Sequence, residues 1–332
     1  MIQTLTTYES TTTDPYTNLA VEEYLTLHSE PGECILYLWQ NAHTVVIGRN
    51  QNCWKECRVS ELEADGGHLV RRLSGGGAVY HDLGNLNFTF CMRKEDADVD
   101  RQLQVIIEAV ASFGLTAEKT GRNDVTINGQ KFSGNAFYEQ EKHCYHHGTL
   151  MMNVNKEMLS KYLTVSKEKL QSKGVDSVKS RVTNLVDYIP DLTLEALKKA
   201  LREAFEEVYG LTSNECKMED LDQKEIEMRT KHFSSWDWRY GRKIDFQYEI
   251  SKRFPWGQMN IQFQVDKGKI ADVNVYSDSL KPMMIEKLPK YLKGIRYHKK
   301  NICSELRLYW AEDKQEEEMI ADIIEWISEE EL

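Results

Sequence analysis

No run of apolar residues in this chain approaches the roughly 20 needed to cross a bilayer, and no membrane association is expected. The first residues, MIQTLTTYES, lack both a basic stretch and an apolar core, so no secretory signal is read and the setting is taken as cytoplasmic. Basic charge is scarce: 42 Lys and Arg stand against 53 Asp and Glu, a net charge of −11. Such a chain has no broad basic face to neutralise phosphates, which argues against a nucleic-acid partner. Seven cysteines (34, 53, 57, 91, 144, 216 and 303) are odd in number and scattered, so they read as reduced thiols and not as a disulfide framework. Cys53 and Cys57 have the spacing of metal ligands, but no second pair follows, and packing is the expectation. There is no internal repeat and no low-complexity tract.

At 332 residues the length allows one large domain or two. ILYLW (35–39) and TVVIG (44–48) are β-type runs at hairpin-like spacing. Residues 101–113 carry Leu103, Ile106, Ile107 and Val110 at helical spacing, closed by Gly114. Thr193 opens a helix with Leu194, Leu197, Leu201, Phe205 and Val208 on one stripe, stopped by Gly210. Residues 212–232 are polar and charged, followed by Trp236, Trp238 and Tyr240. MNIQFQV (259–265) alternates strictly, DKGK turns, and Ala271, Val273 and Val275 alternate back with a solvated opposite face. An acidic helix with Ile320, Ile323, Ile324 and Ile327 inward ends the chain. The expected organisation is a domain over 1–243, a linker over 244–253 and a small α+β domain over 254–332.

The densest chemistry lies at 71–90. Gly75, Gly76 and Gly77 strip side chains from a short stretch, so main-chain N–H groups can close on an anion. Arg71 and Arg72 precede them and stay charged at any working pH. A strand follows, with Leu86, Phe88 and Phe90 on one face and Asn85, Asn87 and Thr89 on the other. At 120–138, Asn128-Gly129 signals a two-residue hairpin turn. Counting back from it pairs Thr126 with Lys131, Val125 with Phe132 and Asp124 with Ser133. Asp124 and Lys131 then lie diagonally on one face at about 7–8 Å. They could grip one ligand, with Mg²⁺ on Asp124 and a phosphate on Lys131, or form a surface ion pair worth under about 1 kcal/mol.

At 143–147, His143, Cys144, His146 and His147 do not share one strand face, so a tetrahedral metal set does not emerge. A neutral imidazole hydrogen-bonding in a pocket is expected of one of them. Residues 167–185 gather lysines in an otherwise acidic chain, as a solvated loop or as a basic loop that closes over phosphates. A glycine cradle, a guanidinium, a Lys/Asp face and a basic loop together suit nucleotidyl transfer onto a carboxylate. No GxxxxGK[ST] and no kinase signature is present.

These residues resemble the lipoate–protein ligase A family. RRxSGGGAVxHDxGN, GRND, KxSGxAxxxxxxxxxHHGTL and KGxxSVxSRVTNL stand in order, and TVVIGRNQNCWKEC (44–57) and SSWDWRYG (234–241) extend the likeness nearly end to end. The resemblance implies a biotin/lipoate ligase-type α/β (α+β) catalytic domain with mixed β-sheets and flanking helices, plus a small C-terminal α+β accessory domain. It implies that lipoate and ATP give lipoyl-AMP and pyrophosphate, after which a carrier lysine takes the lipoyl group, a reaction of lipoate salvage. By motif position, Arg72, Ser74 and Gly75–Gly77 would hold the lipoyl carboxylate end, and Gly77, Ala78, Val79 and Tyr80 the adenylate. Lys131, the catalytic residue, would touch both carboxylate and α-phosphate. Asn85, Asn123 and Asp124 would serve the nucleotide and Mg²⁺, with Ser133 and His147 in the lipoate pocket. Lys173, Gly174, Ser180 and Arg181 would belong to an adenylate-binding loop. Implied carriers are lipoyl domains of 2-oxoacid dehydrogenase acyltransferase subunits, the glycine-cleavage carrier protein, or both, and a monomer is expected.

An octanoyltransferase of the same fold works through a cysteine, and none stands in the Thr120–Asp124 segment. A biotin ligase would carry a GRGRxxR-type loop, which is absent. A non-catalytic sensor would be expected to lose Lys131 or Asp124. An enzyme using only a preformed activated acyl donor is the remaining alternative.

Overall fold

The computed structural model describes residues 1–121, 123–164, 182–241 and 243–331. Fourteen strands form among them, chiefly where β-branched and aromatic residues cluster. In the first part these are β1 (Thr4–Glu9), β2 (Glu33–Trp39), β3 (Thr44–Ile47), β4 (His68–Arg71), β5 (Val79–His81), β6 (Asn85–Arg93), β7 (Ala117–Thr120), β8 (Asp124–Ile127), β9 (Gln130–Gln140), β10 (His143–Met151) and β11 (Ser213–Cys216). Eight make one mixed sheet in the order β11-β1-β2-β6-β10-β9-β8-β7, and β4-β3-β5 make a second. The last three, β12 (Tyr248–Phe254), β13 (Gly257–Asp266) and β14 (Lys269–Ser277), form a third.

Both faces of the large sheet are covered. Leu86, Phe88 and Phe90 of β6 pack with the helices Val99–Ala111 and Leu194–Tyr209 in one core. Gly210, at φ +66°, ends the second helix in the left-handed region, as its sequence position suggests. The helix Pro15–Leu27 covers the other face, where Leu19 packs with Tyr37, Trp39 and Tyr145. Cys53 and Cys57 are buried in a further cluster around the small sheet, so packing is their role. A separate core in the last part joins Met259, Ile261, Phe263 and Val273 to Ile285, Leu288, Ile323 and Trp326. No helix among the described residues is long and apolar enough to cross a membrane.

Three readings of the sequence change. β2 and β3 are not a hairpin: β2 already pairs with β1 on one edge and β6 on the other, so β3 joins β4 and β5 instead. Buried Asn41 marks the exit from the large sheet, tied by Asn18 Nδ2 at 3.0 Å. The stretch 244–253, read as a linker, carries most of β12, whose exposed, charged sequence YEISKRF hides its strand character. Opposite Gln264 and Val265 of β13 the register shifts, so Ala271 of β14 is skipped in the pairing and exposed while Ile270 enters the core.

Candidate active site

The glycine loop joins β4 to β5 and is shaped by Arg72. The buried guanidinium donates to the carbonyls of Val46 (3.2 Å), Gly75 (2.6 Å) and Gly77 (2.8 Å), and Nε reaches Ser74 Oγ at 3.0 Å. Burial pushes its pKa down to about 10, which leaves it charged at neutral pH. Arg72 lines the cavity described below, but most of its donors hold the loop, so it anchors the cradle more than it grips a carboxylate. Arg71 does not line the cavity; it binds main-chain carbonyls of Gly48, Arg49, Gln51, Trp238 and Arg239. Gly76 has φ +90°, a conformation that L side chains rarely adopt. Its N–H donates to Ser279 O of the last domain at 3.2 Å. A Cβ on Gly75 would lie 2.0 Å from that same oxygen.

The Asn128-Gly129 turn forms as expected, with φ +51° and +74°. The register holds for Ile127 with Gln130 and Thr126 with Lys131, then slips by one residue at a bulge. Val125 therefore faces Ser133, and Asp124 faces Gly134. The extra residue moves Ser133 off the ligand face: it is fully buried, does not line the cavity, and its Oγ has no partner among the described residues. Lys131 and Asp124 both line the cavity and meet directly, Nζ to Oδ1 at 2.6 Å. Gly134 makes room for the lysine stem, since a Cβ there would sit 2.8 Å from Lys131 Nζ. Asn123 lines the cavity but uses Nδ2 on Asn135 O at 2.8 Å, which ties the GRND segment to β9.

The three histidines of β10 separate in space. His147 lines the cavity, and its Nδ1 donates to Glu22 Oε1 at 2.8 Å. With Nδ1–H committed to that carboxylate, Nε2 pairs with Ser74 Oγ at 2.7 Å. Glu22 Oε1 also accepts from Thr89 Oγ1, which accepts from Trp39 Nε1 at 3.0 Å. Ser74 is fully buried and does not line the cavity, so it holds His147 in place and does not face a ligand. His146 lies on the opposite face between Gln102 Oε1 and Asn135 Oδ1, and His143 bonds Ser29 and Arg93. His81 lines the cavity; burial, with Arg72 and His147 nearby, pushes its pKa down to about 3.

One cavity of about 550 Å³ unites these groups, within the usual range for a small-molecule site. Two apolar clusters line it. Leu19, Trp39 and Val46 belong to the core beneath the helix Pro15–Leu27. Ala78, Tyr80, Met151 and Val154 belong to the cluster around the small sheet. Polar lining comes from Asn85, Asn87, Asn123, Asp124, Lys131 and His147, with Gly76, Gly77 and Val79 along the loop. Lys173, Gly174, Ser180 and Arg181 lie outside the described residues. Thr164 and Val182, which flank that stretch, line the cavity, and Thr183 N donates to Lys131 O at 2.9 Å. Sequence reasoning missed Trp39, Leu19, Gly134, Gly148 and Arg253. The apolar residues resemble ordinary core, the glycines show their purpose only beside Lys131 and Phe88, and Arg253 fell in the supposed linker.

Among the described residues, Glu56 and Asp124 are the carboxylates lining the cavity, and no group of three or more His, Cys, Asp or Glu gathers to hold a metal. Mg²⁺ keeps several waters and takes one or two carboxylates plus phosphate oxygens. Asp124 fits an ion shared with a substrate's phosphates and does not fit an all-protein cage.

Residues 14–206 match the family model for the lipoyl protein ligase A/B catalytic domain, and residues 243–327 that for the bacterial lipoate protein ligase C-terminus. Lipoate-protein ligase A of Psychrobacter cryohalolentis is 37% identical over 96% of each chain, and that of Bdellovibrio bacteriovorus 37% over 89% of each. The crystal structure of P. falciparum LipL1 in complex with lipoate superposes with a TM-score of 0.85, at 30% identity, over 98% of this chain and 99% of that one. The bi-partite lipoate protein ligase of Thermoplasma acidophilum, from a study of it and its E2 lipoyl domain, superposes with a TM-score of 0.63, at 27% identity, over 74% of this chain and 99% of that one. A glycine cradle, a Lys/Asp pair and a two-sided apolar cavity thus stand on a ligase fold, and the chain belongs to the lipoate–protein ligase A family.

Proposed function

We propose that this ligase activates lipoate with ATP to lipoyl-AMP and then passes the lipoyl group to a lysine of a lipoyl domain. The observation that carries the reading is the cavity's lining: two separate apolar clusters with a cationic and hydrogen-bonding set. That suits a molecule with an apolar chain, a planar base and a charged link between them, which an acyl-adenylate is. In the first step a carboxylate oxygen attacks the α-phosphorus, the bond to the β-phosphate oxygen breaks, and pyrophosphate leaves. Lys131 stands to share its ammonium between the carboxylate and the α-phosphate, stabilising charge as it builds. Asp124 holds that ammonium in place and, with the nucleotide's phosphates, would hold Mg²⁺, which would supply charge stabilisation for pyrophosphate as a leaving group. Gly77, Ala78, Val79 and Tyr80 would present backbone to the adenylate, with Asn85 and Asn123 lining the same cavity. Leu19, Trp39 and His147 contain the acyl chain. In the second step the carrier's neutral lysine amine attacks the acyl carbon, the bond to AMP breaks, and the amine's proton is released.

The acceptor class follows from the archaeal relative described with its E2 lipoyl domain. We read residues 1–243 as the catalytic part and 254–332 as accessory. The test is pyrophosphate release by purified protein with ATP and Mg²⁺, with and without lipoate, before any carrier is added. Lipoate-dependent release establishes adenylation. No release, with transfer from preformed lipoyl-AMP to a lipoyl domain, would leave a transfer-only enzyme; failure of both refutes the reading.

A further inference from the structure

The cavity has one charged wall that the catalytic sheets do not supply. Among the described residues, the Lys and Arg side chains lining it are Arg72, Lys131 and Arg253. Arg72 is engaged with the glycine loop, and Lys131 is paired with Asp124. Arg253 comes from β12, in the sheet of the last core. Its Nη1 donates to Asp278 Oδ2 at 2.8 Å, and its side chain is 33% exposed. Asp278 is itself buried, and its Oδ1 accepts from Gln258 N at 2.6 Å, so the carboxylate is a fixed support. The next residue, Ser279, accepts the Gly76 N–H. Arg253 is therefore tied through Asp278 and Ser279 to the glycine loop.

We propose that Arg253 is a further substrate-binding residue of the adenylation half-reaction, meeting the β- and γ-phosphates of ATP and the pyrophosphate they become. This rests on the adenylation reading given above. A guanidinium offers a planar fork that matches phosphate oxygens two at a time. Among the described residues the guanidinium's acceptor is Asp278, so its other N–H groups can meet a ligand. Lys131 takes the α-phosphate, so the phosphates projecting past it require a second cation, and Arg253 supplies it from across the domain junction. A triphosphate carries several negative charges where lipoyl-AMP carries one, so Arg253 bears mainly on the first half-reaction.

The test separates the two half-reactions in the full-length chain: lipoate-dependent exchange of labelled pyrophosphate into ATP, and transfer from preformed lipoyl-AMP to a lipoyl domain. Arg253→Ala is expected to lose about 10²-fold in exchange while transfer stays within about threefold of wild type. Arg253→Lys should recover part of the exchange. Lys252→Ala, at a neighbour that does not line the cavity, should leave both unchanged. Exchange by Arg253→Ala at the wild-type rate overturns the proposal. So does parallel loss of both half-reactions, which would mark Arg253 as structural. Absence of exchange in the wild type would instead sink the adenylation reading itself.

Discussion

At the scale of single residues, Arg72, Asp124 and Lys131 were legible because their motifs are long, while Arg253 and the geometry that brings these charges together were not. Lys131 was found from the hairpin count, yet the bulge that removes Ser133 from the ligand face has no signal in NGQKFSGN. Under the proposed mechanism, Lys131→Ala removes the charge that stabilises the adenylation transition state. It should slow adenylation by about 10²–10³-fold, read by pyrophosphate exchange. Lys131→Arg should recover little, because a planar fork does not replace a compact ammonium shared by two oxygens. Wild-type exchange in Lys131→Ala would remove this residue from the mechanism. Gly134→Ala tests the positioning separately. Its Cβ would meet Lys131 Nζ at 2.8 Å and Cε at 2.9 Å, the far end of a flexible side chain. The fold should therefore survive with Tm nearly unchanged, while displacement of Nζ by about 1 Å lowers the adenylation rate by about 10²-fold. A fall in Tm without a fall in rate would contradict this.

At the scale of elements, periodicity located the long helices and the meander but could not assign partners. ILYLW and TVVIG read as a hairpin since both are apolar and close, and only the occupied edges of β2 show why they separate. β12 was invisible because most of its residues are exposed, so its strand character rests on pairing with β13. The glycine loop was legible as a cradle, but the close approach of Ser279 was not, since it spans about 200 positions. Gly75→Ala should force the segment around Ser279 away from the loop, because backbone oxygen at 2.0 Å cannot yield as a side chain can. Loss of the Gly76–Ser279 bond and withdrawal of Arg253 from the cavity should follow. Pyrophosphate exchange should then fall more than transfer from lipoyl-AMP does; equal effects on the two would show that the junction does not serve the first step.

At the scale of the whole molecule, sheet faces covered on both sides leave polar groups deep in the protein, and two buried histidines lower its stability toward acid. Burial pushes the pKa of His81 and of His146 from the usual 6.5 down to about 3, so both are neutral in the folded chain at neutral pH. In the unfolded chain they take up protons below about 6.5, whereas the folded chain excludes them until about pH 3. The unfolded state thus binds more protons throughout that window, and stability falls as pH falls through it. Each histidine contributes a slope of up to about 1.4 kcal/mol per pH unit. Carboxylate titration adds to the same trend, so the informative quantity is a difference between proteins. His146→Gln keeps a side-chain amide that can donate toward Gln102 Oε1 and Asn135 Oδ1 and removes one titrating group. Its Tm at pH 7.5 should be lower than that of the wild type, through imperfect packing against Phe88 and Phe137. Between pH 6.5 and 5, however, its Tm should decline less steeply. Equal slopes in the two proteins would mean that His146 is protonated in the folded state, and that its hydrogen bonds to Gln102 and Asn135 accommodate the imidazolium.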